Sequence, residues 1–418
     1  MATHPQPCPL TEPASRPMMR PLPYHEALAT TLREQEPETW AWFDSAQAQA
    51  DYAENVRLDL LKQTYRLEPT THPALFEALT AAQARLGLGA VPATLYQSQT
   101  AQHNNAALCH LPGEIHIIFE GGLVELLEPA ELAGVIGHEL AHFLLWSDRR
   151  HLIADRVAQG MAGDPRAEPA HIETARLVRL YTEIYADRGA LEVVGDPDAA
   201  IRGLVKIATG IRQIDAASYV KQADEIFSRS KVRTEGVSHP EAFIRARALA
   251  LWAARGDAGD AAVDAEVIRM LEGPLSLDRL DLLAQHRLTG LTRRWLECLL
   301  QPAWFHTEAV RGHARLFFED FSLPSPAASP DHDAFFAQLR EAETSVRDYL
   351  CYTLLDFAVA DPELEQEPLR AAFRLAARCD WADRLESLAA KDLKLKKREV
   401  QKLRAEAEEP AGEAAPSA

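Results

Sequence analysis

His138-Glu139-Leu140-Ala141-His142 is an H-E-x-x-H pentapeptide. Four residues make about one helical turn, so in a helix both imidazoles lie on one face and can reach one metal ion. Glu139 lies between them, within reach of a water held by that ion. The chemistry that suits this spacing is metal-assisted hydrolysis with Glu139 as the base. Leu132, Val135, Ile136, Leu140 and Leu144 surround the motif. Two histidines and a carboxylate in so apolar a helix need partners, because an unpartnered buried polar group is costly. The competing reading is a polar patch on the outer face of a core helix.

A catalytic zinc ion takes three protein ligands and leaves a fourth position for water. Glu183-Ile-Tyr-Ala-Asp187 sets two carboxylates at i and i+4, on a stripe with Leu180, Ile184, Leu191 and Val194. Glu183 is the candidate third ligand. Asp187, one turn on, is spaced to accept the N–H of a ligand imidazole and fix its tautomer. An ordinary surface pairing with Arg179 or Arg188 is the competing reading. Glu168 and Glu173 are the alternative ligands, although they lie in or near a loop and lack a carboxylate one turn on. Ser238-His239-Pro240, followed by Arg245, reads on spacing alone as a turn before a helix.

These side chains need elements to hold them. Helical patterning begins near Tyr24, and a second helix runs from Pro73 to Leu86. The period then changes: 93–97 reads as a short strand and Glu114–Glu120 as a better one, stopped by Gly121 and Gly122. Pro129 opens the motif helix, which runs through Trp146. Glycines and prolines mark a loop at 160–169, and the next helix runs from Ala170 to Val194. The fold class expected is α+β, mostly α-helical: a domain with a small sheet that carries the motif, followed by an all-α C-terminal region. The divisions are a disordered arm at 1–22, a motif-bearing domain at 23–254, helical segments at 262–321 and 333–404, and a disordered tail at 405–418. Polar linkers at 255–260 and 322–330 separate the helical segments.

Asn105-Ala106, then Pro112 to Phe119, then Glu131 to His142, resemble the zinc metallopeptidases typified by HtpX and the CAAX prenyl protease. Glu183-x-x-Ala-Asp187 and the Ser-His-Pro…Arg element follow in that family's order, and the resemblance covers roughly residues 75–250. It implies a zincin-type (gluzincin) metallopeptidase domain at 23–254, one Zn2+ per chain held by His138, His142 and Glu183, Glu139 as base, and Asp187 behind a ligand. It also implies that His239 and Arg245 lie near the metal, with His239 helping to stabilise the oxyanion. Ala107 and Leu108 replace the aromatic-containing sequence often found there in the family. Tyr352 to Glu367 resembles the tellurite-resistance TerB-like helical module, in which Asp356, Asp361, Glu363 and Glu367 could take a divalent cation. A solvated acidic loop is the competing reading.

The chain has 418 residues, 44 of them Lys or Arg and 62 Asp or Glu, for a net charge of −18. Such a chain repels phosphate backbones and anionic lipid, which argues against a nucleic-acid partner. No apolar run is long enough to span a membrane. Five scattered cysteines, Cys8, Cys109, Cys298, Cys351 and Cys379, suit a reducing, cytoplasmic setting with all thiols unbridged. The expected function is a zinc endopeptidase acting on peptide or protein substrates. The alternative is a catalytically silent scaffold that binds a protein partner through its C-terminal helices. Two further expectations concern access. Glu114–Glu120 should be the sheet edge beside the metal, where an extended peptide could pair. The 160–169 loop, joining the two ligand-bearing helices, should act as a lid, with the N-terminal arm as a second candidate.

Overall fold

The structure, a computed structural model, describes residues 19–99, 103–229, 232–254, 260–323 and 332–408. The arm as far as residue 18, with Cys8, most of both linkers and the tail from 409 lie outside the described residues. The fold is α+β and mostly helical, with one four-stranded mixed sheet. Its contacts divide into two units. One takes the described residues up to Pro165 and then Ala175–Gly273; the other takes Arg166–Thr174 and the described residues from Pro274.

The first unit begins with α1 (Pro23–Gln35), α2 (Pro37–Phe43), α3 (Ala46–Gln63), β1 (Thr64–Arg66) and α4 (Pro73–Arg85). Three strands follow, β2 (Ala93–Ser98), β3 (Asn105–Leu111) and β4 (Glu114–Glu120). After α5 (Leu123–Leu126) come α6 (Pro129–Ser147), α7 (Arg149–Gly163) and the long α8 (Pro169–Val194). Then α9 (Pro197–Thr209), α10 (Ala216–Arg229), α11 (Ala242–Ala254) and α12 (Asp260–Glu272) complete the series.

Strand order is β1-β2-β4-β3. This corrects the expectation for Glu114–Glu120: β4 is central, parallel to β2 and antiparallel to β3, and β3 is the edge. The sequence Asn-Ala-Ala-Leu-Cys-His-Leu lacks the β-branched alternation that marks a strand. Its partner makes it one. Gly113 takes the left-handed conformation (φ 74°) at the turn, and the chain folds back so that Asn105 pairs with Glu120 and Leu111 with Glu114. Leu95, Ile115, Ile117 and Phe119 on one face of the sheet pack with Leu75 and Leu79 of α4 and Leu132, Ile136, Leu140 and Phe143 of α6. Each such buried side chain contributes about 1.5–3 kcal/mol relative to exposure. That stripe fixes the rotation of α6 and turns His138 and His142 to its other side.

The loop at 160–169 is shorter than its composition suggests. Helix α7 continues through Gly163, leaving 164–168. Gly160 serves packing rather than hinging: a Cβ there would stand 2.8 Å from Phe43 Cζ of α2. Residues 262–272 belong to α12, which packs on α11, and Thr234 N–H donates to the Met270 carbonyl at 3.0 Å.

The second unit contains α13 (Leu282–Leu299), α14 (Glu308–Phe317), α15 (His332–Arg340), α16 (Thr344–Ala358), α17 (Glu367–Ala377), α18 (Ala382–Asp392) and α19 (Lys397–Glu408). Its core is aromatic, with Trp295, Phe305, Phe335, Phe357 and Phe373 buried together. Within 352–367, Asp361 accepts the Glu363 N–H at 3.0 Å and Glu367 accepts from Arg370 Nη1 at 2.7 Å. No described helix is long and apolar enough to cross a membrane.

Candidate active site

Helix α6 has a firm start. Pro129 is at its first position, and Glu131 accepts the Glu128 N–H at 2.9 Å, one half of a capping box. The same Glu131 carboxylate, fully buried, is met by Lys206 Nζ at 2.7 Å and Arg202 Nε at 3.3 Å, both from α9. Two glycines let α6 and α8 approach. A Cβ at Gly189 would stand 2.3 Å from the Ala141 Cβ, and one at Gly137 would stand 2.7 Å from Val193 Cγ2. Only glycine fits either place. This close crossing brings the short carboxylates of α8 to the histidines of α6.

His138 Nδ1 and Asp187 Oδ1 are 3.1 Å apart. A carboxylate there accepts the Nδ1 proton, so the Nε2 lone pair of His138 points into the cluster. His142 Nε2 is 3.1 Å from His138 Nε2. Glu183 closes the group, with Oε2 at 3.4 Å from His138 Nε2 and Oε1 at 3.5 Å from His142 Nε2. One ligand atom from each of the three residues lies within 4.8 Å of the other two. Glu183 Oε2 is buried without a hydrogen bond of normal geometry. Two imidazole nitrogens and an under-satisfied carboxylate oxygen form a donor set that fits zinc. Among the described residues no other three His, Cys, Asp or Glu side chains converge in this way.

Arg245 is buried behind the cluster. It grips Asp187 with Nε at 2.7 Å from Oδ2 and Nη2 at 2.6 Å from Oδ1, and reaches Glu183 at 3.6 Å. Its guanidinium is therefore committed to Asp187, which it orients in turn. His239 stands at the rim, its side chain 53% exposed, with Nε2 at 3.5 Å from Glu183 Oε2. Its loop is braced by Glu241, which accepts from Thr234 Oγ1 at 2.7 Å and from the Glu235 N–H at 2.9 Å.

The electrostatics follow from burial and these partners. Burial opposes charge on His138, but contacts with Asp187 and Glu183 outweigh it and push the ring up to about 10. Burial holds His142 down at about 3. It also pushes Glu139 up to about 7, assisted by the Glu183 charge and opposed by His138, the Leu108 N–H and Arg245. Burial works against ionisation of Glu183 and Asp187 as well, yet the surrounding cations hold both below the usual carboxylate range.

All seven residues singled out from the sequence, His138, Glu139, His142, Glu183, Asp187, His239 and Arg245, line one cavity of about 530 Å3. Glu168 and Glu173 are not among the residues that form this cluster. The Arg188 guanidinium lies over the Trp252 ring, 5.8 Å from its centre. Helix α7 lies between α6 and α8 in the chain, so the 160–169 segment does not join those two helices directly, which corrects the expectation from the sequence. Two parts of the wall are not anticipated from the sequence, the α9 face and Trp146, while Asn105–Leu108 enter only through the family resemblance. Trp146 stacks on His142 with ring centres 5.3 Å apart, and its i+4 spacing from that histidine was the available signal. Nothing local marks α9.

A helix carrying H-E-x-x-H beside a sheet edge, met by a carboxylate from the next long helix in the cluster, defines a metallopeptidase type of site. Residues 70–162 match the model of Peptidase family M48, which is the family the motif resemblance points to. The match contains α6 and ends before α8. The chain is also 27% identical over 176 residues to the plastoglobule-localized metallopeptidase 48, chloroplastic, of Arabidopsis thaliana. That alignment covers 38% of this chain and 51% of the relative, so the chain spans about half the relative's length. No solved structure matches the chain significantly.

Proposed function

We propose that the chain is a zinc-dependent endopeptidase with Glu139 as general base and His138, His142 and Glu183 as the metal ligands. The observation that carries this reading is the convergence of those three donors, with Glu139 beside them, in a cavity bordered by an unshared sheet edge. Zinc, when bound, supplies Lewis acidity toward a carbonyl and toward a water. Glu139 takes a proton from that water and delivers it to the leaving amine. Burial suits it to both tasks, since a carboxylate shifted toward neutrality can accept and return a proton. Asp187 holds the His138 tautomer, and Arg245 holds Asp187. Arg245 is thus a positioning residue, while His239 at the rim is the group that can turn toward a developing negative charge.

Strand β3 pairs with β4 on one side, and its other edge borders the cavity. An extended peptide can add to that edge through main-chain hydrogen bonds, which favours unfolded or extended substrates over folded ones. The cytoplasmic setting is part of the proposal; Cys109, Cys351 and Cys379 are thiols. The test is zinc content together with hydrolysis of a quenched peptide, for the wild type, Glu139→Gln and Glu183→Ala. Activity with near-stoichiometric zinc in the wild type, zinc without activity in Glu139→Gln, and neither in Glu183→Ala are expected. A zinc-loaded wild type that cleaves no peptide returns the chain to the scaffold reading.

A further inference from the structure

Of the seven residues gathered at the cavity, His239 alone stands on a loop, and its side chain is half in water. A donor so placed is aimed in advance only if its backbone is held. Here the backbone is held at several points. Thr234, with no exposed surface, gives its N–H to the Met270 carbonyl of α12 at 3.0 Å. Its hydroxyl donates to Glu241 Oε2 at 2.7 Å and accepts the Gly236 N–H at 3.1 Å. The other oxygen of Glu241 accepts the Glu235 N–H at 2.9 Å. Arg176 of α8 donates through Nη1 to the Gly236 carbonyl at 2.8 Å. Gly236 and His239 then meet backbone to backbone: a Cβ at Gly236 would stand 1.9 Å from the His239 carbonyl oxygen. Ser238 Oγ lies 2.9 Å from His239 Nδ1, which leaves Nε2 on the side of Glu183. Thr234, Gly236 and Glu241 are not among the residues that line the cavity, so none of them meets a substrate there directly.

We propose that Thr234 and Glu241 are positioning residues for His239. They clamp the loop 234–241 so that the imidazole is presented to the reacting centre, and Gly236 is the residue that lets the loop close. The inference rests on reading the site as a peptidase's. In peptide hydrolysis negative charge develops on the carbonyl oxygen, and a donor already in place costs no reorganisation when it does. The Thr234 hydroxyl serves the loop alone. The Glu241 main chain has a second task, since its carbonyl opens α11 by accepting the Ile244 and Arg245 N–H groups at 2.9 and 3.2 Å. A change at the Thr234 hydroxyl therefore reports on the clamp without touching the start of the helix that carries Arg245.

The test is a double-mutant cycle between Thr234 and His239 in the zinc-loaded full chain. It is read on kcat and KM for a quenched peptide and, by calorimetry, on the affinity for a phosphinic peptide whose tetrahedral centre carries a negative charge. His239→Ala alone is expected to lower kcat by about 10²-fold, the weight of one oxyanion donor. Thr234→Val, which replaces the hydroxyl by a methyl, is expected to lower kcat by about tenfold through misplacement of that donor, with KM and zinc content unchanged. Thr234→Ser, which keeps the hydroxyl, is expected to stay close to the wild type. In the His239→Ala background Thr234→Val is expected to change neither kcat nor phosphinate affinity. Equal losses with and without His239 overturn the clamp, as does wild-type kcat in Thr234→Val. Glu241→Ala takes the place of Thr234→Val in the same cycle if the latter does not fold. Cleavage by the wild type with additive effects removes the clamp and keeps the peptidase. Phosphinate affinity coupled between the two positions, without cleavage of any peptide, removes the peptidase and keeps the clamp. Neither cleavage nor coupling overturns both.

Discussion

Two pairs of buried histidines lie on either side of Trp146, and they differ in what their nitrogens meet. His138 and His142 face a carboxylate and the larger cavity. His25 and His151 line a second, smaller cavity with Thr182 and Asp155, and Trp146 lines both. In the second pair the nitrogens do not converge on a shared carboxylate, and both His151 nitrogens are buried without a hydrogen bond of normal geometry. His25 Nδ1 accepts the Leu22 N–H at 3.2 Å, and its Nε2 meets Thr182 Oγ1 at 3.4 Å. His151 is flanked by Glu26 at 3.4 Å and Asp148 at 3.7 Å, on opposite ring nitrogens. In the first pair both Nε2 atoms point at one place and a carboxylate oxygen joins them. Burial of histidine therefore does not make a site. Convergence of donor atoms that the fold leaves unsatisfied, on a cavity with room for a substrate, does.

The largest effects that could break this contrast are catalytic. Glu139→Gln should lower peptide hydrolysis by about 10²–10⁴-fold, the usual weight of a general base, while zinc measured by atomic absorption stays near one per chain. Glu183→Ala should lose the zinc, whereas His25→Phe should keep it. Zinc loss in the His25 variant would put the two clusters on the same footing.

Next in size is the support behind the ligands. Asp187→Ala should weaken zinc by about 10–100-fold in a competition titration with a chelator. Arg245→Leu should weaken it by a smaller factor, because the arginine acts through Asp187. Unchanged affinity in both would return Asp187 to a purely structural ion pair.

Buried histidines outside the ligand cluster should instead govern stability in acid. Burial, reinforced by His151, holds His25 at about 3, against an ordinary 6.5. Burial and Arg156 hold His110 at about 4. For a histidine kept neutral by the fold, the stabilising contribution is complete above about pH 6.5 and is lost as pH falls toward the folded value. Each contributes a slope of at most about 1.4 kcal/mol per pH unit between those limits. Asp155, pushed up to about 6 by burial, acts in the opposite sense: its ionisation disfavours the fold above that pH, and acid relieves it. Urea midpoints from pH 7 to 4.5 should therefore fall less steeply for His25→Phe than for the wild type. Parallel curves would show that His25 does not titrate with unfolding.

The smallest effect concerns Trp146, shared by both cavities. Trp146→Phe keeps an aromatic face on His142 and should change zinc affinity less than Trp146→Ala, which removes the stack. A few-fold difference between the two is expected.

Much of the site is local chemistry, and local chemistry is legible. The i, i+4 spacing of His138 and His142, Glu139 between them, and the same spacing of Glu183 and Asp187 require only that the segments be helical. Apolar periodicity, Pro129 and the Gly195 stop make them so. The strand at Glu114–Glu120 was legible for a similar reason, because its buried Ile115, Ile117 and Phe119 alternate. Small, weakly patterned β3 was not, since its strand state comes from pairing with β4.

What only the tertiary structure decided is which of these pieces are neighbours. Strand order is non-local, so nothing in Glu114–Glu120 says that it is central while Asn105–Leu111 forms the edge at the cavity. Gly137 and Gly189 look unremarkable in sequence; their value lies in a helix crossing that neither helix specifies alone. Arg245 could be tied to the metal by motif, but its commitment to Asp187 needed the packing of α11 beside α8. The composition of 160–169 suggested a loop with hinge points because glycine reads as a hinge, yet α7 runs through Gly163 and Gly160 is small to admit Phe43. The α9 wall carries no motif, since an apolar pocket is formed by surfaces from separate helices and exists only once they meet.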